Sequence, residues 1–384
     1  MGRFGDGIGA GPDLHAAALV AGAMAVAPLG GRTPDLALVF VTGGEPDDMA
    51  EAARECGEWT GARAVLGCTA GGVMGAGRAV QGGGAVSVFA AVLPGADLRT
   101  FHLEVLPVEA GAAVVGLPAL HGVADEVALL LADPWSFPAG SFATRSAEAL
   151  PGLPVVGGLA GGPTGAGSTR LWVDGRVVER GAVGVLVAGA SARPLVSQGC
   201  RPVGPAMTVT AAVGNVLRGL AGRPAVDKVR EVLADLVPAD QALASVGLQI
   251  GLAADEYADE RDYLVRAVLG TEPGTGGLVV GDLVTVGQTV RLQVRDADTA
   301  DADLRAALAR CPGQPGGGVV LFSCTGRGSA LFGPSYGGAG HDVRAVRTGL
   351  AADAVAGVFA AGELGPVGGR NRLHSLSASL LVLP

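Results

Sequence analysis

The feature that most constrains this chain is a strand, helix and strand in succession, ending in glycine turns, and its clearest copy begins at Gly318. Gly318–Gly328 reads GVVLFSCTGRG. Val319 to Phe322 are apolar without alternation, as expected of a strand covered on both faces, and reactive and charged turn chemistry follows at once. Asp342–Leu350 then carries Val343, Val346 and Leu350 at helical spacing, and Ala354–Ala361 is a second apolar strand running into GELGPVGGRNRLH. A crossover of this length normally joins parallel strands, so SCTGRG and GELGPVGGRN are expected at one sheet edge, where ligands of such sheets bind.

That edge gathers Cys324, Thr325, Gly326, Arg327, Glu363, Arg370, Asn371 and His374 as candidates for one pocket, with Cys200 and Arg201 of SQGCRPVGP at its rim. Gly326 and Gly328 free backbone N–H groups in the turn, and with Thr325 and the always-charged Arg327 these donors suit a carboxylate or phosphate. Arg327 is expected to anchor the ligand's negative group, since no local acid stands ready to neutralise it, and Glu363 or Asn371 to read a second polar group such as an amine. The competing reading is that Arg327 pairs with Glu363 across the two loops and binds nothing else.

The same succession occurs twice earlier. Asp35–Thr42 ends in TGGEPDD, a helix follows from Pro46 to Glu58, and Arg63–Leu66 ends in GCTAGG; Glu126–Ala132 stops at DPWSFP, with a helix over Ser141–Leu150 and a strand, Leu153–Val156, ending in GGLAGG. Between them Val86–Val92 and Leu98–Leu106 read as antiparallel strands about Pro94-Gly95, with an ambiguous helical pattern near Ala113–His121. Thr169–Val178 folds back through Asp174-Gly175 and is expected to pair with Gly181–Ala188. Residues 190–205 interrupt all periodicity. Beyond them the spacing predicts a helix at Pro224–Leu236, strands at Gly247–Ala253 and Tyr263–Leu269, and a strand pair about Gly287 within Leu278–Val294. The expectation is an α/β fold with mixed sheets in two layered domains, residues 34–191 and 192–384. AVLGCTAGG at Ala64–Gly72 also resembles VLFSCTGRG at Val320–Gly328, which suggests a duplication.

Composition removes several functions. Lys228 is the one lysine among 27 basic residues and lies in VDKVRE, so no G-x-x-x-x-G-K-[ST] phosphate loop exists. A net charge of −9 and 4% aromatic residues argue against nucleic acid. Five cysteines without a C-x-x-C pair indicate neither a disulfide framework nor a zinc site, and a reducing cytoplasm fits them best. Asp6 and Asp13 precede the apolar run Ala16–Ala27, which therefore reads as a first helix and not a signal peptide. No stretch is long enough to insert in a membrane. Gly67–Gly71 has the spacing of a nucleophile elbow with Thr69 at its centre but lacks a positioned base, and Asp296–Asp303 fails the spacing of an EF-hand loop.

SQGCRPVGPAMTVT, GLQIGLAADE, VGQTVRLQVRDADTADADL, LFSCTGRGSALFG and GELGPVGGRNRLHSLSAS resemble the successive signatures of the FIST C-terminal domain, while GCTAGGV, LLADPWSF and VVGGLAGG resemble its FIST N-terminal partner. The resemblance covers nearly everything after about residue 34. It implies a bacterial sensory protein that binds a small ligand, such as an amino acid, and passes a signal to a separate partner, since no output domain is attached. It also implies haem as an alternative ligand, because some relatives are reported to bind it, and His374 would then be the axial residue. It fixes no catalytic residue. The rival classes are a cysteine-dependent hydrolase or transferase using Cys324, and a scaffold that would show a large exposed apolar patch.

Overall fold

An apolar strand crossing through a helix to a parallel neighbour recurs three times. The computed structural model describes residues 2–109, 111–162, 165–253, 263–311 and 316–384; the last residues of GLQIGLAADE, 254–256, lie outside them. The three recurrences are β1 (Leu36–Thr42), α1 (Pro46–Thr60) and β2 (Ala64–Thr69); β3 (Val127–Ala132), α2 (Ala139–Ala149) and β4 (Val155–Leu159); and β5 (Gly318–Cys324), α3 (His341–Gly349) and β6 (Ala354–Ala360). In each the two strands are parallel neighbours at the centre of a mixed sheet, flanked on either side by an antiparallel strand. All belong to one compact unit, residues 1–197, 304–373 and 377–384.

One glycine marks the same place in each pair. Val39 lies opposite Gly67, Leu130 opposite Gly157 and Leu321 opposite Gly357. A Cβ on any of these glycines would stand 1.8 Å from the carbonyl oxygen of that facing residue. Only a residue without a side chain permits so close an approach. The near-continuous apolar strands follow from burial on both faces, since β1, β3, β5 and β6 contain no exposed residue.

The sheet of the third recurrence is completed by β9 (Ser377–Leu383) beside β5, and by Gly72–Gly75 beside β6. The sheet of the second gains β7 (Glu363–Val367) against β4, then β8 (Arg370–His374). The chain after β6 thus crosses from the third sheet to the second and back.

Three pairing expectations are corrected. Ala85–Val92 joins β1 in the first sheet and Asp97–Val108 joins Ala182–Ala188 in the second, so Pro94-Gly95 carries the chain between sheets instead of closing a hairpin. Ala182–Ala188 pairs with β3 and not with the Asp174-Gly175 hairpin. That hairpin itself forms as expected, Val173 opposite Arg176 with both turn residues at positive φ. Residues 111–115 are a strand, paired with Glu104–Val108.

The second unit, residues 198–303 with 374–376, is an antiparallel sheet that closes on itself. Cys200–Val213 pairs on one side with Thr289–Arg295 and on the other with Val216–Leu220, and the remaining strands, Leu248–Ala253, Tyr263–Glu272 and Gly277–Val280, complete the ring. The two segments expected to pair about Gly287 are therefore separate members of the ring, not one hairpin. Its core is aliphatic, built on residues such as Val209, Leu217, Ile250 and Leu292. Among the described residues no helix is long and apolar enough to cross a membrane.

Candidate functional site

Parallel strands end on the same edge, and in the first unit the ends of all three recurrences meet. Gly161 N donates to Thr69 O at 3.1 Å, Leu159 N to Gly362 O at 2.8 Å, and Ala361 N to Leu159 O at 3.1 Å. A Cβ on Gly71 would lie 3.2 Å from Cγ2 of Thr325. Small residues are what let these loops approach one another. β5 and β6 are in register from Gly318 opposite Ala354 to Cys324 opposite Ala360, so the expected juxtaposition of SCTGRG with the start of GELG holds.

The turn after β5 is a single 3-10 turn, Thr325–Arg327, which folds the Arg327 side chain inward until solvent no longer reaches it. Its partner is Asp342. Arg327 Nε donates to Oδ2 at 2.9 Å and Nη2 to Oδ1 at 3.0 Å, a bidentate pair. Ser323 Oγ donates to Oδ2 at 2.7 Å, and His341 Nδ1 meets Oδ1 at 2.9 Å. Phe332 backs the group, stacked on His341 at 3.7 Å between centroids and 5.4 Å from the guanidinium carbon. Burial alone would raise the Asp342 carboxyl. The Arg327 charge and the hydrogen bonds from His341, Arg327 and Ser323 outweigh it and hold the group well below the usual carboxylate range. Asp342 sits in the first turn of α3, where the helix dipole favours an acid. The premise that Arg327 has no local acid is thus wrong, and so is the alternative that named Glu363 as its structural partner.

Glu363 opens β7 and is also closed to solvent. Its Oε2 accepts from Ser377 N at 3.2 Å and Ser377 Oγ at 2.8 Å. Burial pushes its carboxyl up, to about 8, against the opposing pull of the Ser377 hydrogen bonds, the Cys324 thiol and the Arg327 charge. Two polar atoms here have no hydrogen-bond partner among the described residues, Arg327 Nη1 and Glu363 Oε1. Native structures leave few such atoms, and each calls for an explanation.

Within the first unit, Cys324, Thr325 and Gly326 adjoin this pair, and Arg370 and Asn371 do not. β7 runs back along β4, with Glu363 opposite Gly158 and Leu364 opposite Gly157, so GGRN is carried toward the opposite edge. There Asn371 is spent on structure: its Oδ1 accepts from Val155 N at 2.8 Å, and its Nδ2 donates to Ser146 Oγ and Leu153 O at 2.9 Å each. Arg370 is exposed and with Asn371 lines a separate cavity of about 730 Å³ that also includes Glu148 and Leu150. His374, Cys200 and Arg201 belong to the second unit. His374 is buried there, Cys200 is half-buried, and Arg201 is held by Asp240 and by Asp296, the latter at 3.1 Å. Among the described residues no cluster of three or more His, Cys, Asp or Glu is placed to hold a metal ion.

Sequence reasoning missed Asp342, Ser323, His341 and Ser377. The signal for Asp342 was available: an His-Asp step opening a helix straight after a glycine-rich run, fifteen positions beyond an arginine in a strand-end turn.

Residues 35–223 match the family described as FIST N domain, and residues 225–366 match FIST C domain. The uncharacterized protein Rv0628c of Mycobacterium tuberculosis (strain ATCC 25618 / H37Rv) is 40% identical over 385 aligned positions, covering 98% of both chains. The uncharacterized protein Mb0898c of Mycobacterium bovis is 37% identical over 385 positions, again covering 98% of both.

Proposed function

Since this chain belongs to the FIST family, whose domains are sensory domains in signal transduction, we propose that it senses a small anionic metabolite, such as an amino acid, at the edge formed by β5, β6 and β7. The observation that carries the reading is the pair of buried polar atoms without a partner among the described residues, Arg327 Nη1 in the turn after β5 and Glu363 Oε1 at the start of β7, near the edge where open α/β sheets bind ligands. Asp342 has a positioning role. It takes two of the guanidinium's donors and leaves the third nitrogen to be completed by a ligand oxygen, so the arginine is fixed before anything binds. Arg370, Asn371, His374, Cys200 and Arg201 have no part in this reading. Cys324 is a neighbour of the ligand and not a nucleophile, because the acid beside it is held protonated near neutral pH and offers no base.

The test is mass spectrometry of the small molecules released when wild-type protein and Arg327→Lys, purified side by side, are denatured. The lysine keeps the positive charge for Asp342 but cannot reproduce the fork, so an anionic metabolite should accompany the wild type and be depleted at least about tenfold in the variant. Equal retention by both proteins contradicts the reading.

A further inference from the structure

We propose that Arg327 and Glu363 form a proton-linked receptor for one small oxyanion, in which a carboxylate accepts from Arg327 Nη1 and from the Glu363 carboxyl acting as a neutral acid. This rests on the ligand site argued above and goes further by fixing the ligand's charge and tying its binding to pH.

The donors are assigned by elimination. Glu363 Oε2 already accepts two hydrogen bonds, from the Ser377 N–H and the Ser377 hydroxyl. A carboxyl group that accepts twice on one oxygen keeps its proton on the other, which here is the unpartnered Oε1. Arg327 Nη1 can only donate, and its two sister nitrogens are committed to Asp342. The two unpartnered side-chain atoms are therefore both donors. An ammonium group could satisfy neither, so of the two residues that sequence alone offered for an amine, Glu363 or Asn371, Glu363 does not fit.

Charge counting agrees. Arg327 and Asp342 cancel, so a protonated Glu363 leaves the cluster neutral and a monoanion adds one negative charge. An ionised Glu363 would place two negative charges on the same few ångströms of dry protein, which is strongly unfavourable. The hydrogen bonds from Ser377 and Cys324 and the Arg327 charge pull the Glu363 carboxyl down, and burial outweighs them. The end of β5 and its turn supply Cys324 and Arg327, with Asp342 and His341 of α3 behind the arginine; β9 supplies Ser377, and β4 presents Gly158 opposite it. Burial keeps the carboxyl protonated up to about pH 8, so the receptor is armed at neutral pH and disarmed just above it.

The experiment is calorimetric titration of the full chain with acetate, and with ethylammonium as its cationic counterpart, from pH 6.5 to 9.5, for wild type, Glu363→Gln and Arg327→Lys. Acetate should bind the wild type with affinity falling about tenfold per pH unit above pH 8. Glu363→Gln donates through an amide that does not titrate, so its acetate affinity should persist and stay flat across the range. Ethylammonium binding in place of acetate, no acetate binding at any pH, or the same pH slope in Glu363→Gln overturns the proposal. Failure of the site itself looks different. Acetate that binds wild type and Arg327→Lys equally is held elsewhere, and both readings fall, whereas acetate lost in Arg327→Lys but independent of pH in wild type keeps the site and removes only the proton linkage.

Discussion

Arg327 and Asp342 face each other through two hydrogen bonds of 2.9 and 3.0 Å, with essentially no solvent at either side chain. The arginine lies in the turn after the first strand of a crossover and the aspartate in the first turn of the helix inside that crossover, so one ion pair locks the turn to the element that returns the chain.

Asp342→Ala should strand a buried guanidinium and cost about 3 to 5 kcal/mol in urea unfolding. The double variant Arg327→Met/Asp342→Leu should recover much of that loss, since it removes both charges together. The pair also sets an acid limit. A carboxyl held below its unfolded value contributes stability that is fully present above about pH 4 and is lost as pH falls further toward the depressed folded value. Asp342→Asn should therefore flatten the acid limb of the stability curve, measured by denaturant midpoints between pH 2 and 5.

Glu363 works in the opposite sense. Its folded value is raised from 4.5 to about 8, so its contribution is most favourable below pH 4.5 and is lost progressively as pH rises through that window. Wild-type stability should fall relative to Glu363→Gln by up to about 1.4 kcal/mol per pH unit across it. Parallel denaturant curves for the two proteins from pH 5 to 8 would contradict the assignment.

Asn371→Ala should cost about 2 to 4 kcal/mol, because it removes three buried hydrogen bonds and leaves Val155 N–H and Leu153 C=O unpaired. Ligand retention at 20 °C should be unchanged in this variant. A protein that melts normally but has lost its ligand would return Asn371 to the binding site.

Thiol labelling at neutral pH tests the enzyme alternative. Burial pushes Cys56 up to about 12 and Cys68 higher still, so both should stay silent until the chain unfolds, while the half-buried Cys200 and Cys311 react first. Labelling of Cys324 faster than Cys200 would mark an activated nucleophile.

The strand, helix, strand recurrences were legible because their apolar strands and glycine turns are local signals. The repeat was legible too, but in another alignment. AVLGCTAGG at 64–72, PVVGGLAGG at 154–162 and AVAGVFAAG at 354–362 superpose on the glycine that meets the facing carbonyl, whereas VLFSCTGRG belongs to the first strand of its pair and not the second. The shared Cys-Thr drew attention from the glycine.

The site was half legible. Placing Arg327 and Glu363 on one edge needed only the rule for parallel crossovers. Excluding Asn371 needed the direction of β7, which no residue between Gly362 and Gly369 announces, and naming Asp342 needed to know that the turn after β5 folds inward over α3. Pairing in the sheets failed for the same reason at Pro94-Gly95, where turn chemistry looks alike whether the next strand returns to its neighbour or leaves for another sheet.

A structure of the protein with its retained metabolite bound measures the central claim directly. One ligand oxyanion should lie within hydrogen-bond reach, about 2.7 to 3.2 Å, of both Arg327 Nη1 and Glu363 Oε1. A ligand seated elsewhere, with Nη1 and Oε1 still unpartnered, would contradict it.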